Sequence, residues 1–174
     1  MPYFLIHNKQ EVRKFECPPK ISSELRNKVF NVDYRLEYYL NHNSSNHNTK
    51  IGFLLQYGYF KISQKFYDKE NFSKSDIAYL SKIYCNENEK FDINSYTQRT
   101  MHRHKELILE HLGFHAFSVE IKEKVYLEIK ELLKETTDPK TLFSLIISYF
   151  ESNKIEIPSY NILSNMIVKA LNKK

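Results

Sequence analysis

Glycine fills only 3 of 174 positions and proline 5, and that scarcity constrains the fold more than any other feature. Sandwiches and barrels need a tight turn every 8–12 residues or so, and those turns draw on glycine and proline. A chain this poor in both is expected to be all-α, a multi-helix bundle of roughly eight to ten helices with helix-turn-helix-like elements. Hydrophobic residues at 41% supply an interior, and 27% charged residues supply a solvated surface.

The helical signals follow one another with short breaks. Asn31 is placed to cap a helix turning Leu36, Tyr39 and Leu40 inward. The polar stretch 41–48 reads as a loop, and Thr49 opens a helix with Ile51, Leu54, Leu55 and Gly58 on one face. Gly52 and Gly58 inside it each cost about 1 kcal/mol against alanine, which points to close approach by a neighbouring helix. Ser73 with Asp76 resembles a capping box ahead of Ile77, Leu80 and Tyr84.

A further helix over about 100–112 buries Met101, Ile108 and Leu112, and Gly113 supplies its left-handed cap. Ser118 opens a helix with Ile121, Val125, Ile129, Leu132 and Leu133 inward; its other face mixes both charge signs and reads as solvated. Asp138-Pro139 starts the next, with Leu142, Leu145, Ile146 and Tyr149 recurring. Ser159 caps the last, with Leu163, Met166, Ile167, Ala170 and Leu171 inward. The expected organisation is one region, 1–174, with a division into two helical subdomains at about 1–115 and 116–174 also open.

The net charge is +5, from 26 Lys+Arg against 21 Asp+Glu, which permits nucleic-acid binding without requiring it. Only Arg13, Arg26, Arg35, Arg99 and Arg103 are arginine. Arginine matters at bidentate contacts, where lysine substitutes poorly. Cys17 and Cys85 lie far apart without metal-ligand spacing and read as reduced thiols. The N-terminus lacks a signal-peptide layout, and no apolar run approaches the roughly 20 residues of a membrane span. The expectation is a soluble bacterial cytoplasmic protein, nucleoid-associated if it binds DNA.

Three segments carry a family signature. In the first, His47, Asn48, Lys50, Ile51, Gly52, Gln56, Lys61 and Phe66 stand in order, with Thr49 as one extra residue. In the second, Tyr96, Arg99, Thr100, His104, Ile108, Gly113, Phe114 and Phe117 do so; Arg99 and Thr100 adjoin where the family spaces them by two. The third runs from Lys154 to Ile167 as an isoleucine–x–x–proline turn and helix.

Together these resemble the N-terminal DNA-binding region of class II (Tn-three-type) replicative transposases, across nearly the whole chain. The resemblance implies recognition of double-stranded DNA at transposon terminal inverted repeats, with self-association in the full-length transposase. It also implies that the magnesium-dependent carboxylate triad lies in a later region, so this chain is expected to be a piece or truncated frame without catalytic residues. No cofactor, metal, membrane or small-molecule partner is expected.

Read from the residues, the helix near Thr100 is the best candidate for groove insertion. Its first turn offers Thr100, His102, Arg103 and Lys105, with Arg99 just before it, and recognition helices read bases with their N-terminal residues. The competing reading is an ordinary surface helix with a basic first turn. Lys50, Lys61 and Lys65 suit phosphate contacts, although isolated lysines are usually just solvated.

The last two helices form a second helix-turn-helix candidate with Tyr160, Asn161, Asn165 and Lys169 outward; plain bundle packing is the expected alternative. His102, His104 and His111 lack the spacing of a metal site, and His104 falls on the apolar stripe. The 13 tyrosines and 12 phenylalanines fit core packing better than base stacking. Two other readings remain beside DNA binding. One is a helical protein-interaction or assembly module of the transposition complex, marked by an exposed apolar patch and self-association. The other is a truncated remnant of a transposase gene.

Overall fold

A computed structural model describes residues 6–43 and 46–173. Among them the chain forms nine α-helices: α1 (Lys9–Glu16), α2 (Ser23–Phe30), α3 (Tyr34–Asn43), α4 (His47–Ser63), α5 (Lys74–Tyr84), α6 (Gln98–Leu112), α7 (Val119–Leu132), α8 (Pro139–Ser152) and α9 (Tyr160–Leu171). Short 3-10 turns at Lys69–Asn71 and Ile93–Ser95 precede α5 and α6. The only β-type pairing among the described residues is an isolated parallel bridge between His115 and Ile155. The protein is an all-α multi-helix bundle, and none of its described helices is long and apolar enough to cross a membrane.

The chain divides into two compact units, residues 17–112 and residues 1–16 with 113–174. The second of these units resumes at Gly113. Residues 1–16, however, go with the second unit, because Val12 and Phe15 pack on its core cluster.

In the first unit α4 is the axis. Every position from Ile51 to Phe60 is buried, and a helix apolar on all sides is stable only when others surround it. Asn46 caps it by accepting from the Thr49 backbone N–H at 2.9 Å, so the helix starts at His47 rather than Thr49. Asn31 does not cap α3: it closes α2, and Asp33 serves α3 by accepting from Leu36 N–H at 3.1 Å. Ser44 and Ser45 of the expected loop lie outside the described residues; Asn41–Asn43 end α3.

Both α4 glycines sit where a side chain would collide. A Cβ at Gly58 would meet the Phe30 ring at 2.5 Å, which is the close helix approach expected, by α2. A Cβ at Gly52 would meet the Tyr96 ring at 2.7 Å, so there the close neighbour is the segment leading into α6. Asp76 does not close a capping box. Ser73 caps α5, while the Asp76 carboxylate, 1% exposed, accepts from Arg26 Nε and from the Tyr59 hydroxyl, both at 2.8 Å.

The second unit is built from α1, α7, α8 and α9 around Val125, Ile129, Leu142, Ile146, Phe150 and Ile167. Ser118 caps α7 and Asp138 caps α8 with Pro139 at its start, as the sequence predicts. The connection between α8 and α9 is stitched to residues 113–117. His115 N–H donates to the Lys154 carbonyl and Glu156 N–H to the His115 carbonyl, both at 2.8 Å. That anchoring, with Ile155, Ile157 and Pro158 buried, makes it a packed joint rather than a free helix-turn-helix corner.

Candidate nucleic-acid interface

The residues that carry the first two signature segments meet inside the first unit. The Tyr96 hydroxyl and His104 Nδ1 lie 2.8 Å apart, with both residues fully buried. Gln56 from α4 is buried with them, one turn beyond the Gly52 position that admits the Tyr96 ring. Burial pushes the Tyr96 phenol up and the His104 imidazole down to about 4, with the nearby Arg103 charge adding to the latter. A neutral His104 accepting at Nδ1 carries its proton on Nε2, which is buried without a partner.

The long connection 85–97 is fastened along its length. Asn48 Oδ1 accepts from Asp92 N–H at 2.7 Å, and His47 Nε2 lies 2.9 Å from the Lys90 carbonyl. Lys69 Nζ donates to the carbonyls of Ile93 and Tyr96, both at 3.0 Å. Asp92 accepts from Asn94 N–H and the Ser95 hydroxyl. Thr97 then starts α6 by accepting from Thr100 N–H at 3.3 Å. These bonds fix where the N-terminus of α6 stands, which is what a group that must reach a base edge requires.

The other side of α6 faces water. Its exposed stripe runs Arg99, His102, Arg103, Glu106 and Glu110, while Met101, His104, Ile108 and Leu109 face inward. Arg99 and Arg103, four residues apart on one face, make no ion pair among the described residues. His102, 76% exposed at its side chain, lies 3.3 Å from Glu106. Thr100 is half-buried against its cap, and Lys105 is half-buried with Nζ 5.5 Å over the Phe66 ring.

This charge order runs against the helix dipole. A helix is stabilised by acid at its start and base at its end, each about 0.3–1 kcal/mol. Here the first turn holds Arg99 and no acidic residue, Arg103 stands in the second turn, Glu106 and Glu110 follow, and His111 is the basic residue of the last turn. Local rules broken without a structural gain mark functional surfaces. The arrangement offers donors and positive charge at the tip of the helix and withdraws them along its length.

The remaining candidates are dispersed. Lys65 is corrected outright: it is 4% exposed, its Nζ 5.3 Å from the Tyr67 ring, so it is interior rather than a phosphate ligand. Tyr160 is also corrected. It is 2% exposed among His7, Phe15 and Phe143, and its hydroxyl accepts from His7 N–H at 3.0 Å. Lys61 is committed to the end of α2, donating to the Asn31 carbonyl at 3.2 Å from above the Tyr57 ring; burial lowers its pKa.

Lys50 is half-buried beside a small cleft with Glu37 and Tyr84. Asn161, Asn165 and Lys169 are exposed along one face of α9, but Asn165 and Lys169 edge an apolar groove against α7.

The three histidines of α6 point to different tasks. His102 meets Glu106, His104 meets Tyr96, and His111 Nε2 lies 2.6 Å from Asp33 Oδ2. Sequence reasoning missed Lys69 and Thr97 as supports of the α6 tip. Thr97 carries a legible cap signal three residues before Thr100; nothing local marks Lys69, whose partners are 24 and 27 residues away.

Residues 7–170 match the family described as a domain of unknown function (DUF4158). No match was found among curated proteins.

Proposed function

The chain belongs to the DUF4158 family, and from that premise we propose that it is a double-stranded DNA-binding module that docks a transposase on transposon terminal inverted repeats. The family's occurrence in Tn-three-type transposases supports the reading, as does the signature resemblance. The observation that carries it is α6: an exposed tip bearing Arg99 and Arg103 against the helix dipole, on a helix pinned from the opposite side by Tyr96, His104 and Asn48.

In this reading the α6 tip enters the major groove. Arg103 bonds two acceptors of a guanine, worth roughly 1–3 kcal/mol of discrimination, and Arg99 contacts an adjacent base or phosphate. Glu106 and Glu110 repel the phosphates that a deeper or reversed insertion would bring near. The candidate set narrows to Arg99, Thr100, His102, Arg103 and Lys105. Lys65 and Tyr160 leave it, and Lys61 becomes a structural residue. Strand cleavage belongs to other regions of such transposases, and the module would act on DNA in the bacterial cytoplasm.

The test is fluorescence anisotropy with a labelled terminal-inverted-repeat duplex and a scrambled duplex, over a series of salt concentrations. A cognate preference at physiological salt that Arg103→Ala removes supports the reading. Sequence-blind binding that vanishes with salt would overturn it, because counterion release alone has no sequence dependence.

A further inference from the structure

The second unit carries a groove of about 630 Å³ between α7 and α9, floored by Tyr126 and Met166 and edged by Leu127, Ile162, Lys122 and Lys169. Three apolar side chains on its walls stand in water: Val119 at 78%, Leu127 at 61% and Ile162 at 37% exposure. Exposed apolar residues grouped along one groove, unlike scattered ones, mark a surface that something covers. The Tyr126 hydroxyl is shielded from water and has no hydrogen-bond partner.

The charges on α7 identify the occupant. Glu123 lies one turn before the Tyr126–Leu127 pair, and Lys130 lies one turn after it, its Nζ 5.0 Å from the Tyr126 ring. Both are exposed, and neither forms an ion pair among the described residues. Two copies of α7 laid antiparallel about a twofold axis between Tyr126 and Leu127 bring each Glu123 opposite the other copy's Lys130. The two residues are seven apart, about 10 Å along the helix, and the axis falls midway. The same register sets Leu127 of one copy against Tyr126 of the other. Along α7 the apolar centre thus lies between one acid and one base, with Lys122 and Lys169 at the groove's edges; that acid–base pairing about a twofold axis is the self-complementarity an isologous dimer requires.

We propose that the α7–α9 groove is a homodimer interface that takes the α7 of a second copy of this chain in antiparallel register. Such a dimer covers Asn165 and Lys169, so they face protein rather than DNA.

Sedimentation equilibrium over a wide concentration range tests the proposal on wild type, Leu127→Glu, Glu123→Lys, Lys130→Glu and the double reversal E123K/K130E. Circular dichroism checks that each variant is folded, and all three positions are exposed. The expected result is a reversible wild-type dimer, lost in Leu127→Glu, weakened by either single reversal and restored by the double reversal. A monomer at every concentration would overturn the proposal, as would a dimer indifferent to Leu127→Glu. Failure of the double reversal to restore association would overturn the antiparallel register and the occupant with it.

Discussion

The Tyr96 hydroxyl and the His104 ring nitrogen, 2.8 Å apart in the interior, form a neutral buried pair that holds the segment leading into α6 against the helix's second turn. The imidazole is held to about 4, below the ordinary 6.5, chiefly by burial. A histidine whose folded pKa is depressed contributes stability that is fully present above about pH 6.5 and is lost as the pH falls toward 4. At 1.36 kcal/mol per unit the contribution is at most about 3 kcal/mol. Urea unfolding at several pH values between 7.5 and 4.5 should show this slope. His104→Asn, which keeps an acceptor for Tyr96, should flatten it; an unchanged slope would assign it to other groups.

The charge order of α6 sets stability against function. Arg99→Glu places an acid in the first turn and should raise stability by about 0.3–1 kcal/mol through the helix dipole. The same change should abolish cognate DNA binding. Thermal melts and anisotropy on one preparation decide the matter, and a variant that binds DNA as before removes Arg99 from the interface.

Gly52→Ala should destabilise the first unit by about 1–3 kcal/mol, the usual cost of overpacking, because its methyl would meet the Tyr96 ring at 2.7 Å. The collision displaces the segment that carries the α6 tip, so cognate DNA affinity should fall as well. Stability equal to wild type in a denaturant titration would show that the ring has room to retreat.

Replacing Arg26 by methionine leaves the buried Asp76 carboxylate with the Tyr59 hydroxyl as its donor. Removing one partner of a buried ion pair costs about 3–5 kcal/mol, and the partial exposure of Arg26 puts this case toward the lower figure. The loss should be largely recovered in Arg26→Met/Asp76→Asn, where the charge is gone. No recovery would mean that packing of the Arg26 stem dominates.

Lys61→Met should lower stability by about 1 kcal/mol, through loss of the bond to the Asn31 carbonyl. DNA affinity and its salt slope should stay unchanged. A flattened slope would return Lys61 to the phosphate-contacting set.

Helix type and most boundaries from α5 onward were legible because periodicity and caps are local: Ser73, Gly113, Ser118 and Asp138-Pro139 all act within four residues of their own positions. Helices α1 and α2 carry weaker signals and become clear only through what they pack on. Lys65 and Tyr160 were misjudged for one reason. Each has a polar tip on a long apolar or aromatic body, and whether that body is covered depends on segments distant in sequence, residues 7 and 143 in the case of Tyr160. Arg99, Arg103 and His102 were correctly expected at the surface because the apolar stripe of α6 fixes the opposite face. That Gly52, Gln56, Tyr96 and His104 share one interior site was invisible, since motif spacing shows order along the chain and not convergence.

The division of the chain carries a consequence for biosynthesis. Residues 17–112 interrupt a unit whose remaining parts are 1–16 and 113–174. During synthesis domains fold as units, N-terminal first, but here residues 1–16 emerge before residues 113–174, with which they pack. The α2–α6 unit can close as soon as α6 clears the ribosome, while Val12 and Phe15 wait for α7, α8 and α9. Maturation therefore runs from the middle outward: the inner unit can close while residues 1–16 still wait for residues 113–174.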